Sequence, residues 1–168
     1  EAKRAQGIRL CWAKYRRPPA SAAPTAAKAV GLYMICTVSK NAAERNGYED
    51  ALMLDSDGFV AETTGANIFF VKDGALHTPR PDCFLDGITR QTIIKLAKQR
   101  GVAVIERRIS PEELGEFSEC FVVGTAAEVT PVGEIGDLRF KPGALTFALS
   151  EAYDNLVHTK APMLEPIA

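Results

Sequence analysis

The 168-residue sequence predicts a domain of the α+β or mixed α/β class. Short apolar runs bounded by turn residues, which are typical of paired strands, alternate with longer stretches whose apolar residues recur at helical spacing. The composition is 46% hydrophobic and 24% charged, so the chain can bury a real core, and its length corresponds to one compact unit. Hairpins interspersed with helices are the arrangement that characterises this fold class.

The first elements are a strand and a helix. Residues 7–15 predict the strand, and the proline-rich segment 16–24 predicts an irregular connection after it. From about residue 29 to residue 45 the apolar side chains recur at helical spacing, and Asn46-Gly47 supplies a stop signal. We therefore expect Lys28 to lie near the entrance of a helix.

Two hairpins are predicted next, with strands at residues 51–54, 59–62, 67–72 and 75–78. The first pair is joined by the turn Asp55-Ser-Asp-Gly58. The second is joined at Asp73-Gly74, the kind of dipeptide that best tolerates the positive φ angles of a tight turn.

The remaining elements alternate between helix and strand. Gly87-Ile88-Thr89-Arg90 opens an amphipathic helix that Gly101 ends. We then predict a strand at 102–106, a short helix at 111–117, strands at 119–123 and 128–132, and a last amphipathic helix at about 144–157.

The charge balance and the hydropathy favour a small molecule as partner. With 20 basic and 21 acidic residues and no stretch of one sign, neither nucleic acid nor a membrane surface is expected as a partner. Apolar stretches such as 30–38 are much shorter than the ~20 residues that span a bilayer, and Glu-Ala-Lys-Arg is not the start of a signal peptide. The sequence thus predicts a cytoplasmic protein.

The cysteines and histidines do not predict a metal site or a disulfide. The cysteines are widely scattered and form no CxxC pair, and the two histidines are far from them; the residues are Cys11, Cys36, Cys83, Cys120, His77 and His158. We therefore expect ordinary buried or half-buried thiols, as in a reducing compartment, and no bound metal.

Lys28 is the first candidate for chemistry. It lies among small residues in Thr-Ala-Ala-Lys-Ala-Val-Gly-Leu-Tyr, a setting that should pack its stem and partly desolvate its amine. Desolvation lowers the pKa of an amine, which suits a lysine that forms Schiff bases. The alternative is an ordinary surface charge near the start of a helix.

Four blocks of sequence together resemble a known family. The first is the Lys28 block at 25–33, and the second runs from Ala51 to Phe69 as Ala-Leu-Met-Leu-Asp followed by Val-Ala-Glu-Thr-Thr-Gly-Ala-Asn-Ile-Phe. The others are Leu-Asp-Gly-Ile-Thr-Arg at 85–90 and Gly-Thr-Ala-Ala-Glu-Val-Thr-Pro-Val at 124–132. In this order they resemble the signature blocks of the class IV pyridoxal-phosphate aminotransferases, and the last block most resembles the branched-chain amino acid aminotransferases.

The resemblance implies the large, C-terminal domain of a fold-type-IV enzyme. Residues 25–168 would form the domain that binds pyridoxal 5'-phosphate, and residues 1–24 would be a strand and a proline-rich connection from an N-terminal domain that this sequence does not contain. In the family that domain supplies a phosphate-binding arginine. The arginines before Lys28 lie in no matching motif, so no role is assigned to Arg4, Arg9, Arg16 or Arg17, and we expect the chain to be inactive alone.

For Lys28, Tyr33 and Glu62 the resemblance implies roles at the ring of the cofactor. Lys28 matches the catalytic lysine that binds pyridoxal phosphate as an aldimine and then moves a proton as general acid and base. Tyr33 matches the tyrosine that bonds the phenolic oxygen, and Glu62 matches the acid that pairs with the pyridine nitrogen. Otherwise Tyr33 would be read as a core residue and Glu62 as a solvated strand end.

The phosphate and the substrate carboxylate have their own matches. Ile88 and Thr89 offer the N–H groups of a helix amino terminus and a hydroxyl, where the alternative is a simple helix cap. Thr125 matches the second phosphate hydroxyl, and the N–H groups of Thr125 and Ala126 resemble those that hold the substrate carboxylate. Asn67 is expected to be a structural residue that braces the turn at 63–65.

The implied reaction is reversible transfer of the amino group between leucine, isoleucine or valine and 2-oxoglutarate. The resemblance also implies a homodimer or higher homo-oligomer for the full-length enzyme. Within the class, the alternatives are a D-amino acid aminotransferase, an amine aminotransferase and an aminodeoxychorismate lyase. Outside it, the alternative is a non-catalytic binding or assembly fragment.

Overall fold

The computed structural model describes residues 6–158, which build one mixed sheet with helices packed against it. The strands are β1 Ile8–Trp12, β2 Asp50–Leu54, β3 Val60–Thr63, β4 Asn67–Lys72, β5 Ala75–Pro79, β6 Val104–Arg107, β7 Glu119–Gly124, β8 Glu128–Ile135 and β9 Leu138–Arg139. The helices are α1 Tyr33–Arg45, α2 Ile88–Gln99 and α3 Ala144–His158, with 3-10 helices at Val30–Leu32 and Pro111–Glu116. The predicted mixed α/β class is confirmed.

The sheet runs in the order β3-β2-β1-β8-β7-β4-β5-β6, with β9 paired to β8. Strand β1 is parallel to both β2 and β8, and β5 is parallel to β6, whereas the other pairs are antiparallel. The strand of the segment 1–24 therefore lies in the middle of the sheet, between strands that come later in the chain. Both predicted hairpins form, as β2–β3 and β4–β5.

Alternating side chains of the central strands fill two apolar layers, one on each face of the sheet. From β4, Ile68 and Phe70 join one cluster, while Phe69 and Val71 join the other beneath α2 and α3. This is the period of two that a strand imposes on its side chains. Phe69 stacks on Phe121 of β7 with ring centroids 5.2 Å apart, which ties neighbouring strands together. The central strands are thus covered on both faces of the sheet.

The boundaries of some elements differ from the prediction. The helix predicted from residue 29 begins with the 3-10 turn Val30–Leu32, and the helix predicted at 111–117 is entirely 3-10. Strand β8 continues past residue 132 to Ile135, where it pairs with the unpredicted β9. Strands β8 and β9 are joined by a tight turn at Gly136, whose φ is +55°. Strand β9 was not predicted because a strand of two residues is too short to show a periodic pattern.

No helix within residues 6–158 is long and apolar enough to cross a membrane. All four cysteines are free thiols, three of them buried. In the same part of the chain, His, Cys, Asp and Glu side chains form no group that could hold a metal ion.

Candidate active site

A cavity of about 330 Å³ opens where the loops after β1, β3, β5 and β7 meet the start of α1 and of α2. This volume lies in the range of about 300–1,000 Å³ that is usual for small-molecule sites. The cavity is lined by every residue to which the resemblance gave a role at the cofactor, namely Lys28, Tyr33, Glu62, Ile88, Thr89 and Thr125. Ala126, expected at the substrate carboxylate, does not line it and is exposed.

Lys28 lies in the irregular segment just before the 3-10 turn that leads into α1, as expected from its position near a helix entrance. The expectation that its stem is packed and its amine partly desolvated is wrong for the described chain, because Lys28 is exposed. Its small neighbours Ala26 and Ala27 are exposed as well and cannot cover a lysine stem. Tyr33, the first residue of α1, is 37% exposed and lines the same cavity. Both side chains can therefore reach a ligand from solvent.

Glu62 is the buried acid of the cavity, with only 9% of its surface exposed. It lies in β3 opposite Met53 of β2, so the strand pairing fixes its main chain. Oε2 accepts a hydrogen bond from Asn67 Nδ2 at 3.2 Å, and Oε1 lies 3.4 Å from Nε of Arg17. Glu62 is thus a strand residue held on both carboxyl oxygens, not a solvated strand end.

Burial sets the ionisation of Glu62. Desolvation raises its pKa from 4.5 to about 8, positive Arg17 opposes that rise, and negative Asp50 adds to it. A carboxyl that titrates close to neutral pH in a cavity can exist in either protonation state, and a positive group placed against it would favour the carboxylate.

Arg17 is a functional candidate that sequence reasoning missed. It is 4% exposed, lines the cavity, and stands in a proline-rich stretch that carries no motif. In the sequence Arg17 stands between Arg16 and Pro18, so its immediate neighbours gave no sign that it would be buried.

Asn67 does more than brace the turn at 63–65. That turn is held by Thr63, whose hydroxyl donates to the Ala66 carbonyl at 3.1 Å and accepts from the Ala66 amide at 3.2 Å. Asn67 Nδ2 instead donates to Glu62 and to the carbonyl of Leu85 at 3.0 Å. The amide of Asn67 thus braces Glu62 and the loop before α2 instead of the turn itself.

The amino terminus of α2 forms a second part of the cavity. Its N-cap residue is Gly87, and no side chain caps the first N–H groups. The carboxylate of Asp86 is turned away onto Arg90, at 2.7 Å, and onto Gln91, at 3.1 Å. Backbone N–H groups that carry no side-chain cap, together with the positive end of the helix dipole, are suited to an anion such as phosphate. Thr89 is buried there, whereas Ile88 is 85% exposed.

Thr125 stands in the turn between β7 and β8, across the cavity, and is exposed. Gly124 before it has its nearest neighbours in Gly65 and Ala66, where an added Cβ would lie 3.5 Å from the Gly65 carbonyl oxygen. Small residues therefore let this turn approach the one that follows Glu62. The cavity as a whole combines an amine, a buried carboxyl, four hydroxyl side chains and an uncapped helix amino terminus.

The amino-transferase class IV family model matches residues 1–135. The chain belongs to the class IV aminotransferases. Among curated relatives, it is 41% identical over 157 residues to a probable branched-chain-amino-acid aminotransferase of Rickettsia bellii. The matched segment covers 91% of this chain and 54% of the relative. This class IV aminotransferase chain thus spans about half the length of the curated relatives it matches.

Solved structures agree with the family. A branched-chain aminotransferase from the archaeon Thermoproteus uzoniensis, with norvaline, has a TM-score of 0.87 and 39% identity, over 90% of this chain and 52% of that one. A T.th. branched-chain amino acid aminotransferase, complexed with N-(5'-phosphopyridoxyl)-L-glutamate, has a TM-score of 0.90 and 37% identity, over 94% of this chain and 54% of that one. The sheet and helices described above are therefore the fold of this enzyme class.

Proposed function

We propose that the protein is a pyridoxal-phosphate-dependent aminotransferase that exchanges an amino group between branched-chain amino acids and 2-oxoglutarate. The observation that carries the proposal is the lining of one cavity by Lys28, Glu62 and the uncapped amino terminus of α2. Relatives named as branched-chain-amino-acid aminotransferases, and a relative solved with a phosphopyridoxyl derivative of glutamate, support the substrate pair.

The donor set of the cavity fits the cofactor. Pyridoxal phosphate, when bound, supplies a protonated ring that takes up the electron pair left on the substrate Cα after its proton is removed. In this chain Glu62 would accept the hydrogen bond of the ring nitrogen. The first N–H groups of α2 and the hydroxyls of Thr89 and Thr125 would hold the phosphate.

Lys28 and Tyr33 would act at the reacting end. Lys28 would hold the cofactor covalently through its amine and, once the substrate amine replaces it, would carry the proton between Cα and the cofactor carbon. The Tyr33 hydroxyl would donate to the phenolic oxygen. We further propose that backbone N–H groups at Thr125 and Ala126 bind the substrate carboxylate.

We also propose that the enzyme works in the cytoplasm as a homo-oligomer. Four free cysteines support a reducing compartment.

The test is made on the full-length protein. Borohydride reduction followed by peptide mass mapping should find the cofactor on Lys28, and leucine with 2-oxoglutarate should give glutamate. Lys28→Ala should abolish attachment and nearly all turnover, whereas Lys95→Ala, an exposed lysine of α2 outside the cavity, should behave as wild type. Attachment to another lysine would overturn the site, and turnover of D-amino acids or amines in place of leucine would overturn the substrate class.

A further inference from the structure

Arg17 is a buried cation in the wall of the candidate active site, and its side chain is only 5% exposed. A guanidinium taken out of water costs free energy unless charges and hydrogen bonds replace its hydration. Nη1 donates to the sulfur of Cys36 at 3.2 Å, and Nε donates to the carbonyl of Cys83 at 3.4 Å. Glu62 supplies the opposite charge.

Strand pairing holds the arginine and the acid together. The amide of Arg17 donates to the carbonyl of Leu54 at the end of β2 at 2.8 Å. One residue earlier on β2, Met53 lies opposite Glu62 of β3. The same strand therefore anchors both main chains, so the pairing of the two side chains does not depend on a mobile loop.

The two carboxyl oxygens of Glu62 have partners of different kinds. Oε2 has a neutral donor, the Asn67 amide, which orients the group. Oε1 has the guanidinium of Arg17, whose charge favours the ionised form, while Asp50 opposes it. Other titratable groups of this region, on the neighbouring elements, are Lys28, Tyr33, Cys36, Cys83 and Asp86.

We propose that Arg17 is a positioning residue that makes the ionised form of Glu62 available at neutral pH and keeps its carboxyl in one orientation. This inference rests on the proposed function, in which Glu62 serves as the partner of the ring nitrogen. Arg17 itself would act through Glu62. The assignment concerns the chain before any ligand enters, so it can be tested with and without the cofactor.

The first experiment titrates Glu62 in the full-length protein freed of cofactor, by carbon-13 NMR of labelled glutamate with Glu62→Gln as the assignment control. The wild-type midpoint is expected at about pH 8. Arg17→Gln should move it upward by about one to three pH units, the usual effect of losing an opposite charge at this distance. Arg16→Gln is the matched control, because Arg16 is exposed and donates to the Ser56 carbonyl. An unchanged midpoint in Arg17→Gln overturns the proposal.

A second variant separates charge from packing. Arg17→Lys keeps the positive charge without the planar guanidinium and should bring the midpoint part of the way back towards that of wild type. A midpoint equal to that of Arg17→Gln would mean that the charge does not act on Glu62.

If Arg17→Gln does not fold, thermal melting of the double variant Arg17→Gln/Glu62→Gln tests whether Arg17 and Glu62 form a pair. Breaking a buried pair leaves one charge without compensation, whereas removing both partners relieves that cost. A cooperative transition restored in the double variant supports the pair, and a double variant that is equally unfolded overturns it.

The last measurement is the pH profile of kcat in the cofactor-loaded protein. In Arg17→Gln the acid limb should move to higher pH, with kcat below it falling about tenfold for each pH unit of displacement, while the KM for leucine changes little. A uniform loss of kcat at every pH would indicate a merely structural role. If the protein lacks aminotransferase activity altogether, the proposed function fails, and the cofactor-free titration still decides the role of Arg17.

Discussion

Glu62 is a buried acid whose burial opposes the ionisation of its carboxyl. Its carboxyl is nine-tenths removed from water, and one cation and one amide replace the hydration it has lost. These two partners do not fully offset desolvation, so the pKa stays raised at about 8. A group with this pKa links folding stability to pH.

The predicted linkage has a definite sign. The folded protein binds the Glu62 proton up to about pH 8, whereas the unfolded chain releases it near 4.5, so between these values the folded state holds more protons. The contribution of Glu62 to stability is fully present below pH 4.5 and is lost as the pH rises to about 8. Urea denaturation of the cofactor-free full-length protein across this range should show the decline.

Glu62→Gln should remove that decline, and the difference between variant and wild type isolates it from other groups. Glu151→Gln, at an exposed position of α3, is the control and should leave the slope unchanged. A wild-type slope that Glu62→Gln does not alter would contradict the raised pKa.

At the scale of elements, the position of the amino terminus of α2 requires a residue without a Cβ at its N-cap. A Cβ added to Gly87 would lie 2.5 Å from Oδ1 of Asn67, although its φ of −63° allows any residue. Gly87→Ala should therefore push Asn67 away from Glu62 and shift the first N–H groups of the helix. We expect affinity for pyridoxal phosphate to fall by about tenfold or more, since one or more charge-assisted hydrogen bonds of about 1.5–3 kcal/mol each are weakened.

Absorbance titrations of Gly87→Ala and wild type with pyridoxal phosphate and with pyridoxal measure this loss of affinity. The loss should be larger for the phosphate ester, because the helix terminus holds the phosphate. Gly115→Ala is the matched control, since an added Cβ there makes only ordinary contact with Leu138 at 3.9 Å. Equal losses for both compounds would mean that α2 does not bind the phosphate.

The turn of the β4–β5 hairpin needs two residues with positive φ angles. Asp73 and Gly74 have φ angles of 51° and 74°, as the Asp-Gly signal predicts, and nothing lies within 4 Å of a Cβ at Gly74. Gly74→Ala should destabilise the protein by about 1 kcal/mol through backbone strain alone. Asp73→Asn should change stability by less than about 0.5 kcal/mol, because asparagine tolerates this conformation. Chemical denaturation measures both, and equal stabilities would show that the turn relaxes without cost.

At the scale of the whole molecule, the described chain leaves one side of the cavity open. Lys28 and Thr125 are exposed, and Val30 of the 3-10 turn and Met34 of α1 are 88% and 68% exposed. Relatives are about twice as long as this chain. We therefore predict that the 168-residue chain, expressed alone, binds pyridoxal phosphate more weakly than the full-length protein and shows little or no turnover.

Water entering an open cavity weakens the electrostatic interactions on which catalysis depends. Parallel cofactor titrations and leucine assays of the two proteins would measure the difference. Turnover of the 168-residue chain comparable with that of the full-length protein would show that its own residues suffice.

The sequence by itself determined the family, the fold class and most elements. Hairpin turns such as Asp73-Gly74 and helix starts such as Gly87 are encoded by residues adjacent in the chain, and local backbone preferences act at that range. The four motif blocks carried the resemblance that predicted which residues would line the cavity, Ala126 excepted, because each block is a contiguous run that can be recognised in the sequence. Boundaries such as the 3-10 start of α1 and strand β9 were not predicted, since hydrogen bonds formed in the folded chain decide them.

Only the tertiary structure decided the surroundings of those residues. Arg17 gains a carboxylate, a thiol and a carbonyl as partners from three distant segments, and nothing in its own proline-rich stretch encodes them. Asn67 meets Glu62 and Leu85 in the same way. Conversely, Lys28 has small neighbours in sequence and yet is exposed. Burial and charge pairing depend on which segments pack together, so a raised pKa such as that of Glu62 is a property of the folded chain.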